Sequence, residues 1–203
     1  CKKIIYRLIV MNSEKILKIL ERVDAIQYGH FILSSGKRSS TYCQCAKIFI
    51  DPKIGSKICN SLAKKIKDQI DQNIDYVVSP AMGGILVGYE TANQLNAQSV
   101  FFERVDNEFQ MRRGFEIEEN KNILFVEDVI TTGKSSKECL VELKKLNINL
   151  LGIACIVDRS SEDIFSDHEI ISLIKLDIPV YDEEDLPNEL KSINPTKPGS
   201  RII

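Results

Sequence analysis

Two adjacent carboxylates follow an apolar run, and a hydroxyl-rich turn follows the carboxylates. In the segment ILFVEDVITTGKSS (residues 123–136), Glu127 and Asp128 come directly after four apolar residues. Ionised carboxylates accept hydrogen bonds and donate none, so they suit hydroxyl donors such as the vicinal diol of a ribose. A structural alternative is that both acids cap the end of a strand in solvent.

The turn at residues 131–135 is suited to an anion. It lies where a strand is expected to end and a helix to begin, and the first amides of a helix have no partner within it. Thr131, Thr132 and Ser135 add hydroxyl donors. A Walker A loop would require glycine at position 128, where this chain has Asp128, so an ATPase or GTPase is disfavoured. Diol acceptors beside a site for one phosphate predict a ribose 5-phosphate group as the ligand.

The elements around this segment are expected to alternate between strands and helices. The patterns predict helices over 12–23, from Asp51-Pro52, over 85–95 and over 135–147, and strands over 75–80, 99–104, 121–126 and 150–159. Residues 31–50 have extended character around a turn, 168–181 are expected to add one strand, and 105–120 are expected to be a polar loop. This order predicts an α/β protein with a mainly parallel, doubly wound sheet.

Length, net charge and cysteine content restrict the number of domains, the kinds of partner and the compartment of the protein. The 203 residues predict a single domain over 11–203, with residues 1–10 as a leader left over from cloning. The net charge of −2 argues against a general nucleic-acid or membrane binder, and no apolar run is long enough to span a membrane. The six cysteines are interpreted as free thiols in a reducing cytoplasm, since no four-ligand zinc pattern is present.

The motif VEDVITTGKS resembles the phosphoribosyl-pyrophosphate motif of type I phosphoribosyltransferases. The wider pattern SPAMGGI, FFER, MRRGF, VEDVITTGKS and IVDRS, over residues 79–160, looks like the orotate phosphoribosyltransferases, as does GHFILSSGKRSSTYCQ (29–44). The resemblance covers nearly the whole chain after Met11. It implies a small hood subdomain on the base side, built from residues 11–50 and the C-terminal segment.

The resemblance implies a site for phosphoribosyl pyrophosphate. The two acids would hold the ribose hydroxyls, residues 131–135 the 5-phosphate, and the AMGG loop the pyrophosphate. The implied contacts are Glu127, Asp128, Val129, Ile130, Thr131, Thr132, Gly133, Lys134, Ser135, Met82, Gly83 and Gly84. The family often has lysine where Gly83 stands, so the backbone alone would serve there.

On the base side, the resemblance implies that Thr131, Arg159 and Tyr42 contact orotate. Purine enzymes of the family usually carry aspartate at the position of Thr131, so threonine favours a pyrimidine. A guanidinium can grip the orotate carboxylate with two hydrogen bonds. The alternative for Arg159 is a surface ion pair with Asp158 or Glu162.

For catalysis, residues 105–118 resemble the flexible loop of the family. Arg104, Arg112 and Arg113 are predicted to stabilise the departing pyrophosphate, since arginine cannot act as a general acid at neutral pH. Asp128 is the fourth residue predicted to be catalytic, through its hold on the ribose hydroxyls. The alternative is a solvated charged loop. Mg²⁺ is the implied cofactor, held mainly by the pyrophosphate and ribose hydroxyls of the substrate rather than by a protein metal site.

The implied reaction transfers the 5-phosphoribosyl group of phosphoribosyl pyrophosphate to orotate. Members of the family act as homodimers, and the 85–95 helix and 31–50 segment are candidate contacts. Two alternatives stay open: a purine-specific enzyme, and a non-catalytic regulator that binds RNA or a nucleotide, which would need a continuous basic face.

Overall fold

The computed structural model describes residues 11–33, 35–160 and 164–198, so the predicted leader lies outside the described residues. The helices are α1 (Ser13–Arg22), α2 (Pro52–Lys67), α3 (Gly83–Leu95), α4 (Lys134–Leu143) and α5 (Asn188–Lys191). The strands are β1 (Ile26–Ile32), β2 (Arg38–Cys43), β3 (Tyr76–Pro80), β4 (Gln98–Val105), β5 (Glu108–Met111), β6 (Asn122–Ile130), β7 (Asn149–Asp158), β8 (Ile170–Lys175) and β9 (Val180–Tyr181). Short 3₁₀ helices span Cys45–Ile50 and Glu183–Asp185.

A six-stranded sheet in the order β5-β4-β3-β6-β7-β8 forms the centre of the fold. All of its neighbouring strands pair in parallel except β4 and β5, which pair antiparallel at the edge. The prediction of a mainly parallel, doubly wound α/β sheet is therefore confirmed. Helix α2 begins as expected, with Pro52 in its first turn and the Asp51 carboxylate accepting from the Lys53 amide at 2.9 Å.

Helices cover both faces of this sheet. Helices α1, α2 and α3 pack on one face, where Leu124 and Val126 of β6 join their cluster. Helix α4 covers the other face, with Ile123 and Phe125. Burial on both faces explains why these strands read as continuous apolar runs. No helix in the described part of the chain is long and apolar enough to cross a bilayer.

A second, antiparallel sheet joins the two ends of the chain, in the order β1-β2-β9. The strand expected over 168–181 is confirmed in part: β8 adds it to the large sheet, but the segment also contains the separate β9, which belongs to the small sheet. Pro179 lies between them and has no amide to continue a strand ladder. Farther along, Thr196 pairs with Phe31 and its amide donates to the His30 carbonyl at 2.8 Å.

The polar loop expected over 105–120 is also partly wrong, because β4 and β5 form a hairpin there. Asp106 and Asn107 at its tip have φ of 50° and 69°. Positive φ at both central residues is the requirement of a two-residue type I′ turn, and Asp and Asn tolerate it better than most residues. The hairpin therefore places Arg104 on a strand, and the irregular part of the segment begins near Arg112.

Candidate active site

The predicted residues of the phosphoribosyl pyrophosphate site, together with Arg159, lie at the carboxyl ends of β3, β6 and β7. Asp128 lies near the end of β6 and its side chain reaches the start of α3. A Cβ built on Gly83 would lie 2.8 Å from Oδ1 and 2.9 Å from Oδ2 of Asp128. The backbone of Gly83 and the carboxylate are thus in direct contact, and a side chain at position 83 would displace one of them.

Glu127 points to the opposite face of β6, because successive side chains of a strand alternate. Its Oε2 accepts a hydrogen bond from the Ser136 hydroxyl in the first turn of α4. Burial raises the pKa of Glu127 to about 7, the Ser136 hydrogen bond acts against this, and the Asp128 charge adds to it. Burial also raises the pKa of Asp128, opposed by backbone amides of Val129 and Asp128 itself.

The turn between β6 and α4 leaves its polar groups accessible. Thr131, Thr132 and Lys134 are exposed, while Gly133 is buried with φ of 66°. The positive φ favours glycine at position 133, and a Cβ there would also lie 2.5 Å from Cδ1 of Ile164, so that side chain would have to shift. Gly133 has no side chain to cap α4. The Lys134 amide makes a long hydrogen bond of 3.4 Å to the Thr132 hydroxyl, and the next amides of the first turn are available to an anion.

Two members of the predicted contact set have side chains in the core. Ile130 is buried in the cluster beneath α4, and Val129 packs against the cluster on the opposite face. Only their backbone groups could face a ligand.

The loop from β3 into α3 contains the predicted pyrophosphate contacts. Met82 is 82% exposed, and a cis peptide bond joins Ala81 to Met82. Gly84 is buried, and a Cβ there would lie 2.8 Å from the Pro80 ring. The glycines allow α3 to begin directly at the end of β3, with its amino terminus beside Asp128.

On the base side, Tyr42 and Arg159 lie close to Cys43. The Tyr42 ring is 5.7 Å from that of Phe31, and its hydroxyl donates to Gln44 at 2.8 Å. Burial raises the pKa of Cys43, and the neighbouring Arg159 guanidinium partly offsets this. Burial likewise raises the pKa of Tyr42, with further contributions from Cys43 and Asp128.

Arg159 is tied to the end of β6 by its backbone amide, which donates to the Ile130 carbonyl at 2.8 Å. Its Nε is buried and has no hydrogen-bond partner among the described residues. Asp158 is instead bound by the Ser160 hydroxyl at 2.7 Å and by Lys175 at 3.5 Å. Glu162, the other suggested partner of Arg159, lies outside the described residues.

The three predicted arginines do not converge. Arg104 packs over the Phe109 ring at 4.2 Å and is paired with Glu138 of α4. Arg113 projects from the other face of the hairpin, where its Nε donates to Glu103 at 2.6 Å. Arg112 is exposed. The Arg113 side chain is 63% exposed, whereas that of Arg104 is 30% exposed and packs against α4. Arg113 can therefore exchange its partner more easily than Arg104.

Sequence reasoning missed Ser136, Glu138 and Glu103, which bind three of the predicted residues. Ser136 lies one position beyond the predicted turn, and its only sequence signal is a second serine in the first turn of a helix. The two glutamates looked like ordinary surface acids.

A polar cleft of about 360 Å³ lies at the opposite, amino-terminal end of the sheet. None of the predicted site residues lines it. Its lining includes Asn73, Asp75, Asn96, Gln98 and Lys121.

Comparison with known proteins identifies the family of the chain. The model of the phosphoribosyl transferase domain matches residues 49–184, so the chain belongs to the phosphoribosyltransferase family. Within that family its relatives are orotate phosphoribosyltransferases. The protein of that name from Parvibaculum lavamentivorans is 41% identical over 95% of this chain and its own full length. That from Caldanaerobacter subterraneus subsp. tengcongensis is 44% identical, again over 95% of this chain and 100% of the relative.

The fold is also similar to solved structures. The crystal structure of orotate phosphoribosyltransferase from Aeropyrum pernix has a TM-score of 0.66 with 22% identity, covering 78% of this chain and 92% of that one. At that identity, the likeness supports the fold alone.

Proposed function

We propose that this protein transfers the 5-phosphoribosyl group of phosphoribosyl pyrophosphate to orotate, giving orotidine 5′-phosphate and pyrophosphate. The observation that carries the proposal is the unit formed by β6, the 131–133 turn and α4. It presents carboxylates and open helix amides side by side, in a chain 41% identical to a full-length orotate phosphoribosyltransferase. Those two kinds of group match the two polar ends of a ribose 5-phosphate.

In this proposal the ligand is oriented by opposite hydrogen-bonding preferences. The amides and hydroxyls of residues 131–135 hold the 5-phosphate, which accepts hydrogen bonds. Asp128 and Glu127 accept from the ribose hydroxyls. Because the two carboxylates lie on opposite faces of β6, they would reach the sugar from different sides. Asp128 comes from the side of Gly83, and Glu127 from the side of Ser136.

Orotate is proposed to bind between the small sheet and the end of β7. The buried Nε of Arg159, which has no hydrogen-bond partner within residues 11–33, 35–160 and 164–198, supports this, because a buried donor without a partner costs free energy that a ligand carboxylate would recover. Tyr42 offers an aromatic face beside it. Thr131 is exposed at the end of β6 and would reach the ring carbonyls.

The departing pyrophosphate is proposed to lie at the Ala81–Gly84 loop and the start of α3. Arg113, and with it Arg112, would reach that position by leaving Glu103. In the described residues, no group of three or more His, Cys, Asp or Glu side chains is placed to hold a metal ion. Mg²⁺ is proposed to enter with the pyrophosphate and ribose oxygens as its main ligands, where it would neutralise part of their charge.

The chemistry needs positioning more than proton transfer. Orotate attacks C1 of the ribose as the bond to pyrophosphate breaks, through a transition state resembling an oxocarbenium ion. As the bond between the ring nitrogen and C1 forms, the proton on that nitrogen leaves to water or to an oxygen of the departing pyrophosphate, so no strong protein base is required. The protein contributes by aligning the two reactants and by stabilising the leaving anion.

We further propose that the protein acts as a homodimer in the cytoplasm. Met82, Leu86 and Tyr89 form one exposed apolar face of α3, and the exposed Ile50 ends the 3₁₀ helix that packs against α3. Such a face is typical of a surface that binds a partner. The five described cysteines are unpaired thiols, which suits a reducing compartment.

The decisive experiment follows orotate absorbance after addition of phosphoribosyl pyrophosphate and Mg²⁺. Orotate should be consumed, while adenine and hypoxanthine in parallel reactions should not. Asp128→Asn provides the control against a contaminating enzyme and should lose most activity. Consumption of a purine but not orotate would reassign the base, and RNA binding without turnover would favour a regulator.

A further inference from the structure

Ser136 makes a contact that binding of the phosphate does not require. The serine is fully buried in the first turn of α4, one residue beyond the phosphate turn, and its hydroxyl points away from that turn to Oε2 of Glu127. The hydrogen bond joins the helix that would hold the phosphate to a carboxylate that would hold the sugar.

Glu127 needs a donor, because the surrounding groups oppose its ionisation. Burial and the Asp128 charge both raise its pKa, and Ser136 is the one group among the described residues found to lower it. The thiols of Cys139 and Cys155 flank the carboxylate, and burial raises the pKa of both, so they remain neutral. Arg104 of β4 is already paired with Glu138 of α4.

We propose that Ser136 is a positioning residue, whose hydroxyl fixes one oxygen of the Glu127 carboxylate so that the other is oriented to accept a hydrogen bond from the ribose. The inference rests on the proposed function for the identity of the ligand. The contact between Ser136 and Glu127 stands without it. One oxygen of Glu127 is engaged by Ser136, which leaves the other free for the sugar. Anchoring at the first turn of α4 also fixes the distance between the diol acceptor and the phosphate amides.

A first experiment tests the contact in the ligand-free protein. Carbon-13 NMR of labelled glutamate, with Glu127→Gln to assign the signal, gives the titration midpoint of Glu127. In Ser136→Ala the midpoint should rise by on the order of one pH unit, since a hydrogen bond to the charged form is lost. Ser136→Thr should keep the wild-type midpoint. Ser61→Ala removes another buried helical serine, which donates to the Lys57 carbonyl, and should not shift the midpoint.

A second experiment tests the role in binding. The affinity for phosphoribosyl pyrophosphate is measured from pH 6 to pH 9 in the same variants. Ser136→Ala should bind about tenfold more weakly near pH 6.5 and approach the wild type near pH 9, where Glu127 is ionised in both. In the Glu127→Gln background, Ser136→Ala should have little further effect.

The outcomes separate the inference from the proposed function. An unchanged NMR midpoint in Ser136→Ala, or an equal loss of affinity at every pH, would overturn the inference. Should that variant fail to fold, Ser136→Cys keeps a similar volume with a weaker donor and should shift the midpoint in the same direction. If the wild type does not bind phosphoribosyl pyrophosphate, the proposed function fails, and the NMR titration still decides whether Ser136 controls Glu127.

Discussion

The carboxylate of Asp128 lies against the backbone of Gly83, so closely that a Cβ at position 83 would be 2.8 Å from Oδ1. The contact links the end of β6 to the first residue of α3. It also joins the two loops that the proposed function assigns to the sugar and to the pyrophosphate. The close approach of Asp128 is therefore a steric reason for glycine at position 83, where the family often has lysine.

Gly83→Ala should therefore impair the enzyme by displacing Asp128. Overpacking of this kind costs about 1–3 kcal/mol. If that cost appears in the transition state, kcat/KM for phosphoribosyl pyrophosphate should fall roughly 5- to 150-fold. Steady-state kinetics check the result, with thermal unfolding as the control for folding. Wild-type kinetics in a folded Gly83→Ala variant would show that Asp128 can move without consequence.

Arg159 is expected to recognise the orotate carboxylate. Arg159→Ala should raise KM for orotate roughly 10- to 100-fold, because a hydrogen-bonded charge contact of about 1.5–3 kcal/mol is lost, while KM for phosphoribosyl pyrophosphate stays near the wild-type value. Arg159→Lys should recover only part, since lysine lacks the planar fork.

Uracil, which lacks the carboxylate, gives an internal control for this assignment. The preference of the wild type for orotate over uracil should largely disappear in Arg159→Ala. An equal loss for both bases would mean that Arg159 supports the fold instead.

Arg113 should matter more for turnover than for binding. It is held by Glu103 and is 63% exposed, so it can leave for the pyrophosphate as charge develops. Arg113→Ala should lower kcat by roughly a hundredfold, as for loss of one group that stabilises a developing anion, with a small effect on orotate affinity. Single-turnover kinetics separate the two, and Arg22→Ala at the end of α1 serves as a remote control. Equal losses in kcat and orotate affinity would assign Arg113 to substrate binding.

The apolar face of α3 should hold two copies of the chain together. Leu86 is 50% exposed on that face, and Leu86→Glu would place a charge in the proposed interface. Light scattering after size-exclusion chromatography should show a dimer for the wild type and a monomer for the variant. Val141→Glu is the matched control, because Val141 is 56% exposed on α4 and lies outside the face. A wild-type monomer, or a variant that stays dimeric, would exclude this surface.

Local patterns predicted the framework of this fold. Asp51 and Pro52 specified the start of α2, and the apolar runs of β3, β6 and β7 reflected burial on both faces of the sheet. The type I′ turn at Asp106 and Asn107 was missed, although its residue types permitted it. The separation of β8 from β9 depends on pairing of β9 with β2, which is distant in sequence and leaves little local signal.

The candidate site was predictable in its residue types and only partly in its geometry. Adjacent acids in a strand must diverge, so Glu127 and Asp128 could have been assigned to opposite faces once β6 was known to extend to Ile130. The partners Ser136, Glu103 and Glu138 could not, because they depend on how α4 and the hairpin pack. These partners determine which predicted residues are free to move and which are ionised.

Glu127 should make the ligand-free protein less stable at alkaline pH. In the folded state burial holds its pKa at about 7, against an ordinary value of 4.5. Between those pH values the folded state binds more protons than the unfolded chain, so the contribution to stability falls as pH rises from 4.5 through 7. Glu127→Gln removes this titration. It should match the wild type near pH 4.5 and be more stable at pH 8, by at most on the order of 3 kcal/mol.

Urea unfolding at pH 5 and pH 8 gives the comparison. The exposed Glu116→Gln serves as the control for loss of one surface carboxylate. A constant difference between Glu127→Gln and the wild type across this range would mean that Glu127 titrates near its ordinary value and remains ionised at neutral pH without help from Ser136.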